Sequence, residues 1–456
     1  MGARGGHHHW PPAYPRCVPS LADLQVSSLG PCAYPSPLGS YVAGRETNEY
    51  FVSEDDRVLY DDTISLLRRR GEPLETCPSF EPGGPRPQIF HDPATTHVGV
   101  VTCGGLCPGL NDVIRAVTLE LYTHYGVTQV TGFRNGYAGF DPAHGFEPVD
   151  LTPALVGSIN ERGGTILGTS RGAQDPVVIV DRLVALGIDA LIVIGGDGSM
   201  HGAHRIVEEV TRRGLPIGVV GIPKTIDNDI PHIGQSFGFA TAFGEASKAI
   251  AAAHVEAESA YNGVGLVKVM GRHAGFIACY AALANHDADF VLIPEVPFSL
   301  HGENGLLRSL ERRVRERGSA VIVLAEGAGQ EHTLATGRSD ASGNSRLGDI
   351  ATIVREAIEK DFHDRGEELT LKFLDPGYGI RAVPADPSDS VYCARLAQVA
   401  VHAAMAGRTD MVVGRRRHRF VHVPIPLVIE RRHSVNPEGD LWLSVLESTS
   451  QPLDMR

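Results

Sequence analysis

A five-residue segment, Gly195-Gly196-Asp197-Gly198-Ser199, has the residue types of a phosphate-binding loop. It directly follows an apolar, mostly β-branched run at residues 191–194, which is typical of a buried parallel strand. Glycines let the backbone approach an anion closely, and the carboxylate of Asp197 could hold a magnesium ion that bridges phosphates. The segment therefore predicts a phosphate site at the end of a strand.

Three other loops have related chemistry. Residues 103–109 (CGGLCPG) form a glycine turn after a second apolar run, and residues 163–171 (GGTILGTSR) end in Arg171, a potential phosphate clamp. Residues 223–229 (PKTIDND) form a carboxylate-rich turn after a third run. Transfer of a phosphoryl group to an alcohol requires a base for the hydroxyl proton and cations for the phosphoryl oxygens. The three loops that follow apolar runs, at residues 103–109, 195–199 and 223–229, together indicate phosphoryl transfer.

Asp227 and Asp229 are the candidates for the base. Taken alone, two acids in a turn are also consistent with capping of the next helix. The neighbouring phosphate loops favour the catalytic interpretation. The glycine turn at residues 104–105 lacks the G-x-G-x-x-G spacing, which argues against a nicotinamide-cofactor site.

Short apolar runs alternate with helix-length amphipathic segments from about residue 96 onward. The pattern predicts strands at residues 98–102, 127–132, 191–194, 217–222, 264–269, 290–293 and 320–324, and helices at residues 111–125, 199–213, 240–258 and 302–317. Such alternation predicts an α/β fold with doubly wound, mainly parallel sheets. Ligands bind at the carboxyl ends of strands in these sheets, which is where the loops at residues 103–109, 195–199 and 223–229 would lie. Nearer the C-terminus, a basic cluster at residues 415–419 precedes a strand-like segment at residues 420–429.

The composition is that of a globular enzyme. The 456 residues, with 42% hydrophobic and 21% charged, are enough for two lobes and a large core. The net charge of −13 argues against nucleic-acid binding, and the sequence has no run of 18 apolar residues that would span a membrane. Seven cysteines without a framework spacing favour reduced thiols and a cytoplasmic location.

The chain resembles the phosphofructokinase family, whose members transfer a phosphoryl group to the 1-hydroxyl of fructose 6-phosphate. The matching segments are TCGGLCPGLNDVIR (102–115), GGTILGTSR (163–171), GGDGS (195–199), PKTIDND (223–229), MGRHAG (270–275), AEG (325–327) and PGYGIRAVPADPSD (376–389). The resemblance covers about residues 96–408, and residues 50–61 (YFVSEDDRVLYD) are similar to the longer, plant-type branch.

The resemblance implies a role for each matching residue. Asp227 would be the catalytic base, Asp229 its electrostatic helper and Asp197 the acid linked to magnesium. The residues implied to be catalytic are Asp227, Asp229, Arg171, Thr225 and Lys224. The residues that would hold ATP are Gly104, Gly105, Arg171, Gly172, Gly196, Asp197, Gly198 and Ser199. The residues that would contact fructose 6-phosphate are Thr225, Ile226, Asp227, Met270, Gly271, Arg272, Glu326, Lys372, Tyr378 and Arg381.

Four positions depart from many bacterial members of the family. Leu119 replaces the usual partner of Arg115 in their effector site, which argues against the same nucleotide effector control. Tyr378 replaces a histidine and Lys372 replaces an arginine, but both can still donate hydrogen bonds to the 6-phosphate that Arg381 would clamp. Gly263 stands where those members supply an arginine across a subunit boundary, which argues against a site shared between subunits.

Gly198 and Lys224 bear on whether the donor is ATP or pyrophosphate. Pyrophosphate enzymes of the family usually carry aspartate in place of Gly198, and that carboxylate would crowd and repel the α-phosphate region of a nucleotide. Lys224 is typical of pyrophosphate users, although plant-type ATP enzymes also pair this glycine with a lysine. A lysine can stabilise charge with either donor. The two positions together favour ATP, with pyrophosphate as the alternative.

Two other kinds of protein share part of the pattern. NAD kinases and lipid kinases carry a GGDG-type loop but do not account for TIDND, MGRHAG and PGYGIR together. A non-catalytic relative that senses sugar phosphates would have lost the base, the magnesium acid or the phosphoryl clamp. Asp227, Asp197 and Arg171 are all present, which favours an active kinase.

The resemblance also implies two Rossmann-like lobes with the active site in the cleft between them. Residues 96–239 with about 380–430 would form the nucleotide-binding lobe, and residues 240–379 with the C-terminal tail the sugar-phosphate-binding lobe. Residues 1–95 would form an N-terminal extension, and roughly its first 45 residues, rich in Pro, Gly and Ser, are expected to be mobile. The resemblance further implies an allosteric homo-oligomer, dimer or tetramer, that uses magnesium, ATP and fructose 6-phosphate.

Overall fold

The computed structural model describes residues 18–41, 50–333 and 347–455. Part of the segment expected to be mobile, residues 1–17 and 42–45, lies outside the described residues. The strands are, in chain order, β1 (Ser27–Ser28), β2 (Tyr34–Pro35), β3 (Val58–Leu59), β4 (Ser79–Pro82), β5 (Gln88–Ile89), β6 (His97–Thr102), β7 (Gln129–Phe133), β8 (Val149–Asp150), β9 (Ala190–Gly195), β10 (Gly218–Pro223), β11 (Gly263–Val269), β12 (Phe290–Leu292), β13 (Ser319–Ala325), β14 (Thr370–Leu374), β15 (Arg408–Thr409), β16 (Met411–Arg416) and β17 (Arg419–Pro424).

The α-helices surround these strands. They are α1 (Ile64–Arg70), α2 (Leu110–Leu119), α3 (Pro153–Val156), α4 (Pro176–Ala185), α5 (Asp197–Arg212), α6 (Phe239–Glu258), α7 (Phe276–Asn285), α8 (Leu306–Arg317), α9 (Ile350–Arg365), α10 (Gly377–Ala382), α11 (Pro387–Met405), α12 (Ile425–Ile429) and α13 (Asp440–Thr449). A π-helical turn, Glu120–Tyr125, extends α2. Within the described residues, no helix combines the length and the apolar character needed to cross a membrane.

Most of these strands belong to two sheets. The larger sheet has the order β3-β4-β17-β16-β10-β9-β6-β7-β8, and its central strands, from β16 to β7, are parallel. The smaller sheet, β12-β13-β11-β14, is parallel throughout. The arrangement confirms the predicted α/β class with mainly parallel sheets.

Burial of the central strands explains why their sequences are continuous apolar runs. Every residue of β9 and of β10 is buried. A parallel strand that is covered by helices on both faces has no polar face, so its sequence does not alternate. All seven predicted strands are present as β6, β7 and β9 to β13, with ends that shift by at most two residues.

The prediction of a single strand at residues 420–429 is wrong for the second half of that segment. Strand β17 ends at Pro424, and Ile425–Ile429 form helix α12. A proline lacks the N–H that a strand ladder requires but is tolerated in the first turn of a helix. Pro424 and Pro426 therefore favour the change from strand to helix.

The chain returns to the larger sheet after it has built the smaller one. Strand β16 pairs with β10, β17 pairs with β16, and β4 of the N-terminal extension pairs with β17. The basic cluster at residues 415–419 forms the hairpin between β16 and β17, where the Arg416 guanidinium lies 4.4 Å from the centre of the Tyr60 ring. The exact lobe boundaries remain predictions.

Candidate active site

The loops that follow β6, β9 and β10 lie side by side, because these strands are neighbours in the larger sheet. Hydrogen bonds join them: the amide of Lys224 donates to the carbonyl of Gly195 at 2.9 Å. The Thr169 hydroxyl donates to the carbonyl of Gly104 at 2.6 Å, which joins the loop at residues 163–171 to the loop at residues 103–109. All four loops that the sequence singled out therefore meet at one edge of the sheet.

A cavity of about 200 Å³ opens at these strand ends. Its lining residues are Gly105, Leu106, Cys107, Arg171, Gly196, Asp197, Lys224, Thr225, Ile226, Asp229, Arg381 and Arg432. Four of these side chains are cationic and two are carboxylates. The set is suited to a polyanionic ligand with a bridging divalent metal ion.

The N-terminus of α5 forms one wall of the cavity. The helix begins at Asp197, and among the described side chains none caps its first N–H groups. A Cβ atom added at Gly198 would meet no atom within 4 Å, so this position faces open space. Ser199, in the same turn, is buried. Free N–H groups and the helix dipole make such a terminus an anion site.

The first glycine turn and the Arg171 loop face this helix end. The Lys224 ammonium donates to the carbonyl of Gly105 at 2.8 Å, and a Cβ at Gly105 would lie 3.5 Å from the Arg171 guanidinium. Gly104 and Gly172 have φ of 85° and 104°, which favour glycine. Burial lowers the pKa of Lys224.

The acid-rich turn is held by its own side chains. The Thr225 hydroxyl donates to Asp229 Oδ1 at 2.8 Å and accepts from the amide of Asp227 at 3.1 Å. Neither acid caps the next helix, α6, whose N-cap is Gly238. Asp227 Oδ1 is buried and accepts no hydrogen bond from the described residues. The neighbouring residues Thr225, Ile226 and Asp229 line the cavity, whereas Asp227 lies behind them and is not part of the lining. A buried acceptor without a partner is an unsatisfied polar group that a substrate hydroxyl would satisfy.

Charges from both sheets act on Asp227. Burial and the negative charges of Asp229 and Glu326 raise the pKa of Asp227 to about 7, against the opposing charges of Arg381 and Arg272. Glu326 follows β13, Arg272 follows β11 and Arg381 lies in α10 after β14. The carboxylate therefore lies where the carboxyl ends of the two sheets face each other.

Hydrogen bonds also join the loops of the smaller sheet. The amide of Glu326 donates to the carbonyl of Val269 at 2.9 Å, and the amide of Gly327 donates to the carbonyl of Gly271 at 3.1 Å. Met270 Sδ would lie 3.6 Å from a Cβ added at Gly377, at the start of α10. Met270, Gly271 and Glu326 are thus brought together beside the helix that carries Arg381.

Lys372 and Tyr378 are not brought into the cavity. The Lys372 ammonium lies 3.4 Å from a carboxylate oxygen of Glu256 on α6. The Tyr378 residue is 90% exposed. Contact of these two residues with a sugar phosphate remains a prediction.

Sequence reasoning missed Arg432, which lines the cavity beside Asp197. An Arg432 Nη atom lies 3.1 Å from Asp197 Oδ2, and the amide of His433 donates to the carbonyl of Asp229 at 2.7 Å. The available signal was the run Arg431-Arg432-His433 after an apolar segment. It lies outside every matching motif, so nothing local connects it with residue 197.

Asp197 fits a magnesium ion that shares its ligands with phosphates. Its side chain is 38% exposed toward the cavity edge. Within the described ranges, no group of three or more His, Cys, Asp or Glu could hold a metal ion by itself. Magnesium bound through phosphates requires only one or two carboxylates from the protein.

The glycine-rich edge of a parallel sheet, the clustered cations and the buried acid are the features of an α/β protein suited to phosphorylated ligands at its strand ends. The phosphofructokinase family model matches residues 97–404. The chain therefore belongs to the phosphofructokinase family.

Individual relatives agree with this assignment. An ATP-dependent 6-phosphofructokinase of Amycolatopsis methanolica is 52% identical over 441 residues, which are 95% of this chain and 96% of that protein. ATP-dependent 6-phosphofructokinase 7 of Arabidopsis thaliana is 46% identical over 96% of this chain and 88% of its own. The crystal structure of a pyrophosphate-dependent phosphofructokinase from Marinobacter aquaeolei superposes with a TM-score of 0.64, at 21% identity, over 78% of this chain and 91% of that one. The last similarity shows the fold.

Proposed function

We propose that this protein transfers the γ-phosphoryl group of ATP to the 1-hydroxyl of fructose 6-phosphate, giving fructose 1,6-bisphosphate and ADP. The observation that carries the proposal is the Asp227 carboxylate, which is buried, has an unpartnered Oδ1 among the described residues and has a pKa raised to about 7. A carboxylate in this state is suited to accept a proton from a substrate hydroxyl near neutral pH.

Asp227 removes the proton of the 1-hydroxyl as that oxygen attacks the γ-phosphorus. Thr225 holds the backbone amide of Asp227 and the carboxylate of Asp229 in a fixed relation, so the base is positioned before the substrate binds. Arg171 and Lys224 offset the negative charge of the phosphoryl oxygens. Direct in-line transfer needs no covalent intermediate on the protein.

Asp197 is the residue that would hold magnesium. Magnesium held there would offset part of the negative charge of the donor phosphates. The free N–H groups of α5 and the turn containing Gly104 and Gly105 bind phosphate oxygens beside it.

The smaller sheet supplies the acceptor site. Met270, Gly271 and Arg272 contact the sugar phosphate, Glu326 binds sugar hydroxyls and Arg381 clamps the 6-phosphate. The hydrogen bonds between the loops that carry these residues support the assignment. The effect of the charges of Arg272, Glu326 and Arg381 on the pKa of Asp227 supports it as well.

ATP is favoured as the donor over pyrophosphate. The relatives named as ATP-dependent enzymes are 52% and 46% identical over nearly the whole chain. The pyrophosphate-dependent neighbour, at 21% identity, is informative on the fold alone. The open space at Gly198 also leaves room for the α-phosphate region of a nucleotide.

A side-by-side donor assay tests the proposal. The protein is mixed with fructose 6-phosphate, magnesium and either ATP or pyrophosphate, and the product is identified by ³¹P NMR. We expect fructose 1,6-bisphosphate as the product with ATP. Any turnover with pyrophosphate should have a kcat/KM at least ~10-fold lower than that with ATP. Higher kcat/KM for pyrophosphate would contradict the donor, and no product with either would contradict the reaction.

We also propose that the protein is a homo-oligomer located in the cytoplasm. Analytical ultracentrifugation of the full chain is expected to give a dimer or a tetramer. A monomer at assay concentration would contradict that part alone.

A further inference from the structure

A C-terminal segment, residues 430–439, connects α12 to α13 and spans the two sheets. We call it the C-terminal strap. The amide of His433 donates to the carbonyl of Asp229, which follows β10 of the larger sheet, at 2.7 Å. The amide of Val435 donates to a carboxylate oxygen of Glu295, which follows β12 of the smaller sheet, at 2.7 Å. The strap is thus fixed to both sheets.

Glu295 is a firm anchor for the strap. Its two carboxylate oxygens also accept from the amide of Gly275, at 3.0 and 3.1 Å, directly before α7. Burial raises the pKa of Glu295, and the hydrogen bonds from Gly275 and Val435 act in the opposite direction. One side chain therefore holds the strap against the N-terminus of a helix of the smaller sheet.

Arg432 lies immediately before the first anchor and points into the cavity. Its Nη atom is 3.1 Å from Asp197 Oδ2, and its side chain is 35% exposed. The dipole at the N-terminus of α5 disfavours a cation unless a negative group lies between them. In the structure that negative group is Asp197.

We propose that Arg432 is a further donor-phosphate-binding residue, which the C-terminal strap presents to the cavity. The inference rests on the proposed function, because Asp197 is the acid assigned to magnesium there. With that carboxylate engaged by a metal ion, phosphate oxygens of the donor would be an anionic partner for the Arg432 guanidinium. Arg432 then joins Arg171 and Lys224 in offsetting the phosphate charge.

Calorimetric titration of the full-length protein with magnesium–ADP tests the inference without turnover. Arg432→Met is expected to weaken ADP binding roughly 10- to 100-fold, because charge-assisted hydrogen bonds to phosphate are lost, whereas Arg432→Lys is expected to retain part of the affinity. Arg431→Met, at the exposed neighbouring position, is the matched control and should change the affinity by no more than ~2-fold. Binding of fructose 6-phosphate alone should be unaffected in all three variants.

The outcomes separate this inference from the proposed function. ADP binding by Arg432→Met that equals or exceeds that of the wild type would overturn the inference, since the guanidinium would then make no contribution to binding of the donor phosphates. Equal losses in Arg432→Met and Arg431→Met would also overturn it. Failure of the wild type itself to bind magnesium–ADP would overturn the proposed use of ATP. Circular dichroism and the thermal midpoint establish that each variant is folded.

Discussion

Asp227 combines the two properties that a general base requires at the scale of a single residue. Its Oδ1 is buried without a hydrogen-bond partner among the described residues, and burial together with Asp229 and Glu326 raises its pKa to about 7. The sequence identified the residue through the acid-rich turn. It did not reveal the raised pKa, because Glu326 lies about 100 residues further along the chain.

The raised pKa gives a pH dependence with a definite sign. The carboxyl group is protonated below its pKa and cannot accept the hydroxyl proton, so kcat/KM for fructose 6-phosphate should rise with pH and level off above about 7. Steady-state rates between about pH 5.5 and 8.5 measure the profile. Residual activity of Asp227→Ser should lack this acidic limb, and a wild-type profile that is flat over the same range would contradict the assignment.

Gly198 gives a second prediction at this scale. An aspartate there has room for its side chain, and an acid in the first turn of α5 does not oppose helix formation. Its charge would repel the nucleotide phosphates, so Gly198→Asp should lower kcat/KM for ATP by ~10-fold or more relative to that for pyrophosphate.

The matched control for Gly198→Asp is Gly198→Asn, which has nearly the same volume without the charge. Donor kinetics of both variants separate repulsion from crowding. An unchanged ratio of ATP to pyrophosphate kcat/KM in Gly198→Asp would refute the role given to this position.

At the scale of elements, the strand ends were readable from the sequence and the connections between distant elements were not. Buried parallel strands gave continuous apolar runs, and glycine or acidic turns marked their ends, as at β9 and β10. The pairing of β4 with β17 joins residues that are more than 300 positions apart. A separation of 235 positions likewise hid the contact of Arg432 with Asp197 from local pattern reasoning.

Glu81 on β4 links the N-terminal extension to the larger sheet. Its Oε1 lies 2.7 Å from an Arg86 guanidinium nitrogen, 2.8 Å from Arg408 Nε and 3.1 Å from His422 Nδ1. Burial alone would raise the pKa of Glu81, but the hydrogen bonds and charges of His422 and Arg408 outweigh it and hold the pKa well below its usual range.

Removal of this carboxylate should destabilise the protein. Glu81→Gln is expected to lower the free energy of unfolding by ~3 kcal/mol at pH 7, since the guanidinium groups of the buried Arg86 and the partly buried Arg408 lose one of two carboxylate partners and keep only the exposed Glu54 among the described residues. A depressed pKa contributes stability above the unfolded-state value, about 4.3, that is lost as pH falls, so the difference should shrink in acid. Urea denaturation measures the difference in the free energy of unfolding between the wild type and each variant. Glu75→Gln, at an exposed position in the same extension, is the control. Equal stability of both variants at pH 7 would contradict the prediction.

At the scale of the whole molecule, the site exists only where the two sheets face each other. The larger sheet contributes Asp197 and the acid-rich turn, and the smaller sheet contributes the loops of Arg272, Glu326 and Arg381. The family resemblance predicted a site in the cleft between two lobes, whereas periodicity and composition predicted the strands but not how the two sheets face each other. The residues that the resemblance assigned to the 6-phosphate are divided: Arg381 lines the cavity, and Lys372 and Tyr378 do not.

Turnover of Asp227→Ser is the most direct test of phosphoryl transfer at this junction. With magnesium, ATP and fructose 6-phosphate at saturation, kcat should fall by ~10²- to 10⁴-fold, while binding of fructose 6-phosphate and the thermal midpoint stay near the wild-type values. A kcat within about tenfold of the wild type would contradict the account, because the loss of a general base has a larger cost.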